Sequence, residues 1–121
     1  MELVPFARPN TQVIERYGPA GFRVSGQIHH GPILVFPERT LPWPDGALSE
    51  AGLAAVIEAG NVELLLLGLG RRIVPVAATL RGALRRSGIA IEVMDTGAAC
   101  RTYNVLLAED RRLAAALLPP L

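Results

Sequence analysis

Apolar residues recur along this chain with two different periods, and the switches between them mark its elements. The clearest switch falls within residues 89–107. There Ile89, Ile91 and Val93 alternate with Ala90, Glu92 and Met94, the side-chain alternation of a strand with unequal faces. Asp95 and Thr96 break the alternation, and either can cap a helix by accepting from a free backbone N–H. From Ala98 the spacing is helical: Cys100, Tyr103 and Leu107 share one stripe, Ala99 and Leu106 flank it, and Thr102 and Glu109 lie nearly opposite. The unit reads as strand, tight turn, helix. In a parallel sheet, Asp95 and Thr96 would then stand at a strand's carboxyl end, where open α/β sheets bind ligands.

The same reading extends in both directions. Residues 13–17 and 22–24 are short strands around the turn Gly18-Pro19-Ala20-Gly21, and residues 27–30 either continue the second strand or turn away from it. The apolar run 33–36, bounded by Pro32 and Pro37, predicts a buried strand, whereas 39–46, with Pro42, Trp43 and Pro44, predicts loop. Trp43 there either plugs the core edge or covers a cleft. A first helix starts at 48–50 with Ser49 as cap and Leu48 and Leu53 as staple, buries Leu53, Val56 and Ile57, and ends at Gly60-Asn61. Residues 62–67, with four consecutive leucines, are apolar on both faces and predict a central strand covered by helices on each side. A second helix, 76–87, turns Ala77, Leu80, Ala83 and Leu84 inward and Arg81 and Arg85 outward, with Gly88 after its end. Residues 111–118 are ambiguous by pattern: the alanines favour helix, but the run is short, uncapped and closed by Pro119-Pro120. The expected organisation is a flexible arm, 1–11, and a single α/β domain, 12–121, with a mixed, mostly parallel sheet, flanking helices and an extra N-terminal β layer.

Composition narrows the chemistry. A chain of 121 residues, half of them apolar, suits one domain with a real core, and with aromatics at 5% aliphatic side chains and alanine must fill it. The net charge of +1 hides an asymmetry: residues 1–67 hold four arginines against seven acids, and 68–121 hold eight arginines against four. Either these arginines sit on solvated helix faces or the second half favours an anionic ligand or acidic partner. Every basic residue is arginine, which excludes a Walker A loop and a Schiff-base lysine, and the Arg and Ala richness is associated with GC-rich bacterial genomes. One cysteine excludes an internal disulfide and a cysteine-built zinc site. Pro5, Arg8 and Pro9 interrupt the N-terminus before an apolar leader develops, and 64–69 is far too short to span a bilayer. A soluble cytoplasmic protein without membrane insertion is expected. A near-neutral charge without interleaved basic and aromatic residues argues against nucleic acid.

Two stretches carry candidate site residues. Gly68-Leu69-Gly70-Arg71-Arg72 fails as a dinucleotide fingerprint, since Ile73 stands at the third glycine position, but it combines close backbone approach with two guanidinium groups that can pair an anion. The second is Asp95, Thr96, Cys100, Arg101 and Asn104. Here Cys100 is a weak candidate nucleophile, set against a structural reading in which Asp95 caps the helix and pairs with Arg101 while Asn104 bonds a neighbouring loop. His29 and His30, adjacent on a strand, point to opposite faces, and no metal or cofactor site is expected.

The run Val93-Met94-Asp95-Thr96-Gly97-Ala98-Ala99-Cys100-Arg101-Thr102-Tyr103-Asn104-Val105-Leu106-Leu107 resembles the signature of the family known as domain of unknown function 498. That family includes the mitochondrial complex I assembly factor three and an adipogenesis-associated protein. Residues 26–37, Trp43, 63–70 and 111–117 are similar as well, so the likeness covers roughly 12–118. Where members often carry Gly-Thr-Gly, this chain has Gly68-Leu69-Gly70 and so lacks that hydroxyl. The resemblance implies a three-layer fold whose last strand, 111–118, is antiparallel to its neighbours. It also implies a non-enzymatic binding or assembly module with a protein partner. The alternative is a protein that binds a small anionic ligand, or an enzyme, using a cleft between 68–72 and 95–101. Neither reading specifies a homo-oligomer, though apolar edges are compatible with one.

Overall fold

The computed structural model describes residues 11–120, so the arm expected over 1–11 lies almost wholly outside the described residues. In chain order the strands are β1 (Ile14–Gly18), β2 (Gly21–Val24), β3 (Gln27–His30), β4 (Ile33–Val35), β5 (Thr40–Pro42), β6 (Leu64–Leu69), β7 (Ala90–Met94) and β8 (Leu113–Leu118). The helices are α1 (Ala54–Ala59), α2 (Ala78–Arg86) and α3 (Thr96–Ala108). Strands β1, β2 and β3 form an antiparallel meander, and the other five form a sheet in the order β5-β4-β8-β6-β7.

Strand β8 is where the larger sheet changes sense. It runs antiparallel to β4 and parallel to β6, so the last strand is antiparallel to only one of its two neighbours. The pairings are two parallel, β6 with β7 and β8, and two antiparallel, β4 with β5 and β8. The central strands bury both faces, which is why they lack polar alternation. From β6, Leu65, Leu67 and Leu69 join Ala114 and Ala116 of β8 against α1 and α2; Leu66 joins Leu113, Ala115 and Leu117 on the opposite face, against α3 and the meander. The chain is thus a three-layer α/β domain, with helices on one face and a helix plus a small sheet on the other.

Several local expectations shift. The segment expected to be loop, 39–46, contains edge strand β5 and a short 3-10 turn; Pro42 is tolerated because an edge strand need not use both sides of its backbone. Trp43 is core, 2% exposed, with its Nε1–H donating to the Ala47 carbonyl at 2.9 Å. Ser49 caps a turn, accepting from Gly52 N–H at 3.0 Å, but regular α1 starts only at Ala54. Ala77, expected to face inward, is exposed just before α2.

Candidate functional site

The carboxyl ends of β6, β7 and β8 meet at one side chain. Asp95 caps α3 by accepting from Ala98 N–H at 2.9 Å, which leaves Thr96 as the first helical residue with its hydroxyl free for other partners. That hydroxyl accepts from Gly70 N–H at 2.8 Å and donates to the Leu118 carbonyl at 2.6 Å, while Thr96 N–H donates to Gly70 O at 2.9 Å. The end of each strand is thereby tied to the start of α3. The two glycines of the β6 end serve different needs. Gly68 lies inside β6, not in the loop, and a Cβ there would stand 2.9 Å from Ala99 Cβ and 2.8 Å from Leu117 Cδ2, so its absence lets α3 seat on the sheet. At Gly70 a Cβ would make only ordinary contact, 3.7 Å from the Pro119 carbonyl oxygen, but φ is +76°, the left-handed turn that leads the chain off the sheet.

This junction floors a cleft of about 420 Å³ bordered by Tyr17, Pro19, Gly70, Arg71, Asp95 and Arg101. Gly97 and Pro120 complete its rim. Arg101 Nη1 donates to the Tyr17 hydroxyl at 3.3 Å, joining α3 to the first hairpin across 84 residues. A more apolar hollow of about 650 Å³ adjoins it, sharing Pro19, Gly70 and Arg71 and adding Pro32, Leu118 and Pro119. The two hollows together place Arg71, Arg101, the Asp95 carboxylate and a phenol at one end, and proline and leucine carbon beside Arg72 at the other.

A model of the family described as protein of unknown function (DUF498/DUF598) matches residues 14–118. The chain belongs to that family. An uncharacterised protein from Rhodobacter capsulatus is 44% identical over 88% of this chain and 83% of its own length. The zebrafish NADH dehydrogenase (ubiquinone) 1 alpha subcomplex assembly factor 3 is 38% identical over 89% of this chain. The chain spans 64% of that protein's length, and 61% of its Xenopus tropicalis counterpart's. Among solved structures, a protein described as an outer membrane protein from Bartonella henselae superposes with a TM-score of 0.84 at 34% identity, covering 93% of this chain and 98% of its own. In this DUF498 member, no helix among the described residues is long and apolar enough to cross a membrane.

The structure brings Gly70, Arg71, Asp95 and Arg101 together at the cleft and takes the remaining candidates out of it. Cys100 is 0% exposed among Ala99, Tyr103 and Leu66, and burial pushes its thiol up to about 12, against the opposing charge of Arg101 and with a small addition from Asp95. A neutral, sealed thiol is a poor nucleophile, which favours the structural reading of Cys100 over the weak nucleophile candidate: it lies on the core side of α3. Asn104 is also internal. Its Nδ2 donates to Ile14 O at 2.8 Å and its Oδ1 accepts from Ile14 N–H at 3.1 Å, so it grips a strand and not the neighbouring loop expected for it. Thr96 is likewise buried, both hydrogen-bonding capacities of its hydroxyl committed. Tyr17, Pro19 and Pro120, which complete the cleft, escape a local reading because they reach it from chain segments far from 68–72 and 95–101.

Proposed function

We propose that this chain is a non-enzymatic, assembly-factor-like binding module that docks a partner protein in the strand-end cleft. The observation that carries this reading is that the assembly factors align with 88% to 93% of the chain. What they share with it is a whole folded domain and not a short motif. The cleft's chemistry fits the same reading. Arg71, Arg101 and the Tyr17 hydroxyl suit a carboxylate, and the adjoining proline and leucine surface suits an apolar side chain next to it. The chain's one thiol is buried and the Thr96 hydroxyl is committed, which favours recognition over nucleophilic chemistry. We place the module in the cytoplasm, an assignment that fractionation of the native host tests.

The experiment is affinity capture with the full chain beside an Arg71→Ala, Arg101→Ala variant of unchanged melting temperature. Any captured protein is then purified and titrated directly. The reading expects one partner whose affinity falls at least tenfold in the variant, and equal affinity for both chains would remove the cleft as the docking site. The convergence of Arg71 and Arg101 also supports a second reading, a small anionic ligand in the same cleft. Inorganic phosphate or acetate that raises the melting temperature of the wild type but not of Arg71→Ala would favour it.

A further inference from the structure

Strand β7 is one edge of the larger sheet, and its outward backbone is unpaired among the described residues. Ala90 N–H donates to Glu63 O at 2.9 Å, which in a parallel ladder points the N–H and C=O groups of Ala90, Glu92 and Met94 toward β6. Those of Ile91 and Val93 therefore point outward. On the α2 face of this edge, a groove of about 390 Å³ is bordered by Arg81, Arg85, Gly88, Ile89, Ala90 and Ile91. Both arginines are exposed, and neither carries an ion pair among the described residues. The groove shares no lining residue with the strand-end cleft.

We infer that this edge accepts an extended acidic segment of a partner protein as an added strand, its carboxylates on Arg81 and Arg85. The spacing matches: residues four apart on a helix are separated by about 6 Å along the axis, and alternate residues of a strand by about 6.8 Å. A segment with acids at every second position presents its carboxylates to both arginines while its backbone bonds Ile91 and Val93. Alternation also selects the other face. Glu92 is exposed there, so the intervening residues of the incoming strand are uncharged or basic. A second copy is a poorer occupant. Two β7 strands paired antiparallel about a twofold axis bring both α2 helices to one side of the joined sheet, setting Arg81 and Arg85 against the same arginines.

The test is a nitrogen-15 NMR titration of the full chain with a synthetic peptide of alternating valine and glutamate, at about 50 mM salt. The expected result is shifts and slowed hydrogen exchange at Ile91 and Val93, and roughly tenfold weaker binding by an Arg81→Glu, Arg85→Glu variant. Both positions are exposed on α2, and a thermal melt of the variant verifies its fold. A peptide with lysine for glutamate should not bind, and one with the same residues in two blocks, glutamates then valines, should bind more weakly. Undiminished binding by the double variant, equal binding of the block peptide, or shifts confined to Gly70, Arg71 and Arg101 would overturn the inference. So would a dimer of the free chain in which Ile91 and Val93 are already protected, since the edge would then belong to a second copy. Partner binding through the cleft is scored separately by the Arg71 and Arg101 variants.

Discussion

Asn104 and Ile14 exchange two hydrogen bonds across 90 residues, the carboxamide of α3 closing on both backbone groups of one residue at the start of β1. This is how the small sheet is fixed to the helix layer. Ile14 is fully buried in the cluster that holds Phe22, Val24 and Tyr103, so a lost partner is not readily replaced by water. Asn104→Leu should therefore cost about 2–4 kcal/mol, the burial of two unpaired backbone groups, and Asn104→Asp at least as much at neutral pH, because it sets a buried carboxylate oxygen against the Ile14 carbonyl. Urea midpoints measure both; a Leu variant within 0.5 kcal/mol of wild type would show that the pair is dispensable.

The Thr96 hydroxyl offers a sharper comparison because the side chain can be changed without altering its shape. Thr96→Val leaves Gly70 N–H and the Leu118 carbonyl without their partner at a fully buried position, and the expected loss is about 1–3 kcal/mol. Thr96→Ser keeps the hydroxyl and should lie between the two. Hydrogen exchange of the Gly70 amide, faster in the valine variant than in the serine one, distinguishes a broken junction from a general loss of packing.

Alkaline pH should destabilise the fold through two buried groups. The Cys100 thiol is raised by burial from 9.0 to about 12, and Tyr103 is raised as well, first by burial and then by Glu38. A group whose folded pKa lies above its unfolded value contributes stability that is complete below the unfolded pKa and is lost as pH rises toward the folded one. Stability should thus be level up to about pH 9, fall as the unfolded thiol ionises, and fall more steeply beyond 10 as the unfolded phenol joins it. Cys100→Ala should remove the first part of that fall and leave the second. In the native wild type at pH 8, a thiol reagent should label Cys100 only as fast as the chain opens; immediate labelling would contradict its burial.

Gly68 and Gly70 should respond differently to the same substitution. At Gly68 an added methyl meets Ala99 and Leu117 inside 3 Å, so Gly68→Ala must lift α3 from the sheet, at a cost of about 1–3 kcal/mol. At Gly70 there is room, and Gly70→Ala should cost only the left-handed backbone, about 1 kcal/mol. A double variant with Ala99→Gly should recover part of the first loss and none of the second, as read from denaturation midpoints.

The sequence by itself determined the elements whose burial is decided by near neighbours. The alternation of Ile91 and Val93, the two-faced leucines of β6, the 100, 103, 107 stripe and the aspartate cap are all properties of a few consecutive residues. Period and capping depend on local geometry, so they are visible before the chain folds. The strand 113–118 was not legible in this way, because alanine prefers helix when alone. Placed between β4 and β6 and buried on both faces, its small side chains let α3 approach, and packing overrides propensity. Tertiary structure likewise turned Thr40–Pro42 into an edge strand, gave Asn104 its distant strand partner, decided between the two readings of Cys100 by burying it, and brought Tyr17, Pro19 and Pro120 beside Arg71 and Arg101. None of these depends on spacing along the chain. Each follows from which distant segments share a layer, and that is set only when the two apolar faces of the central sheet are covered.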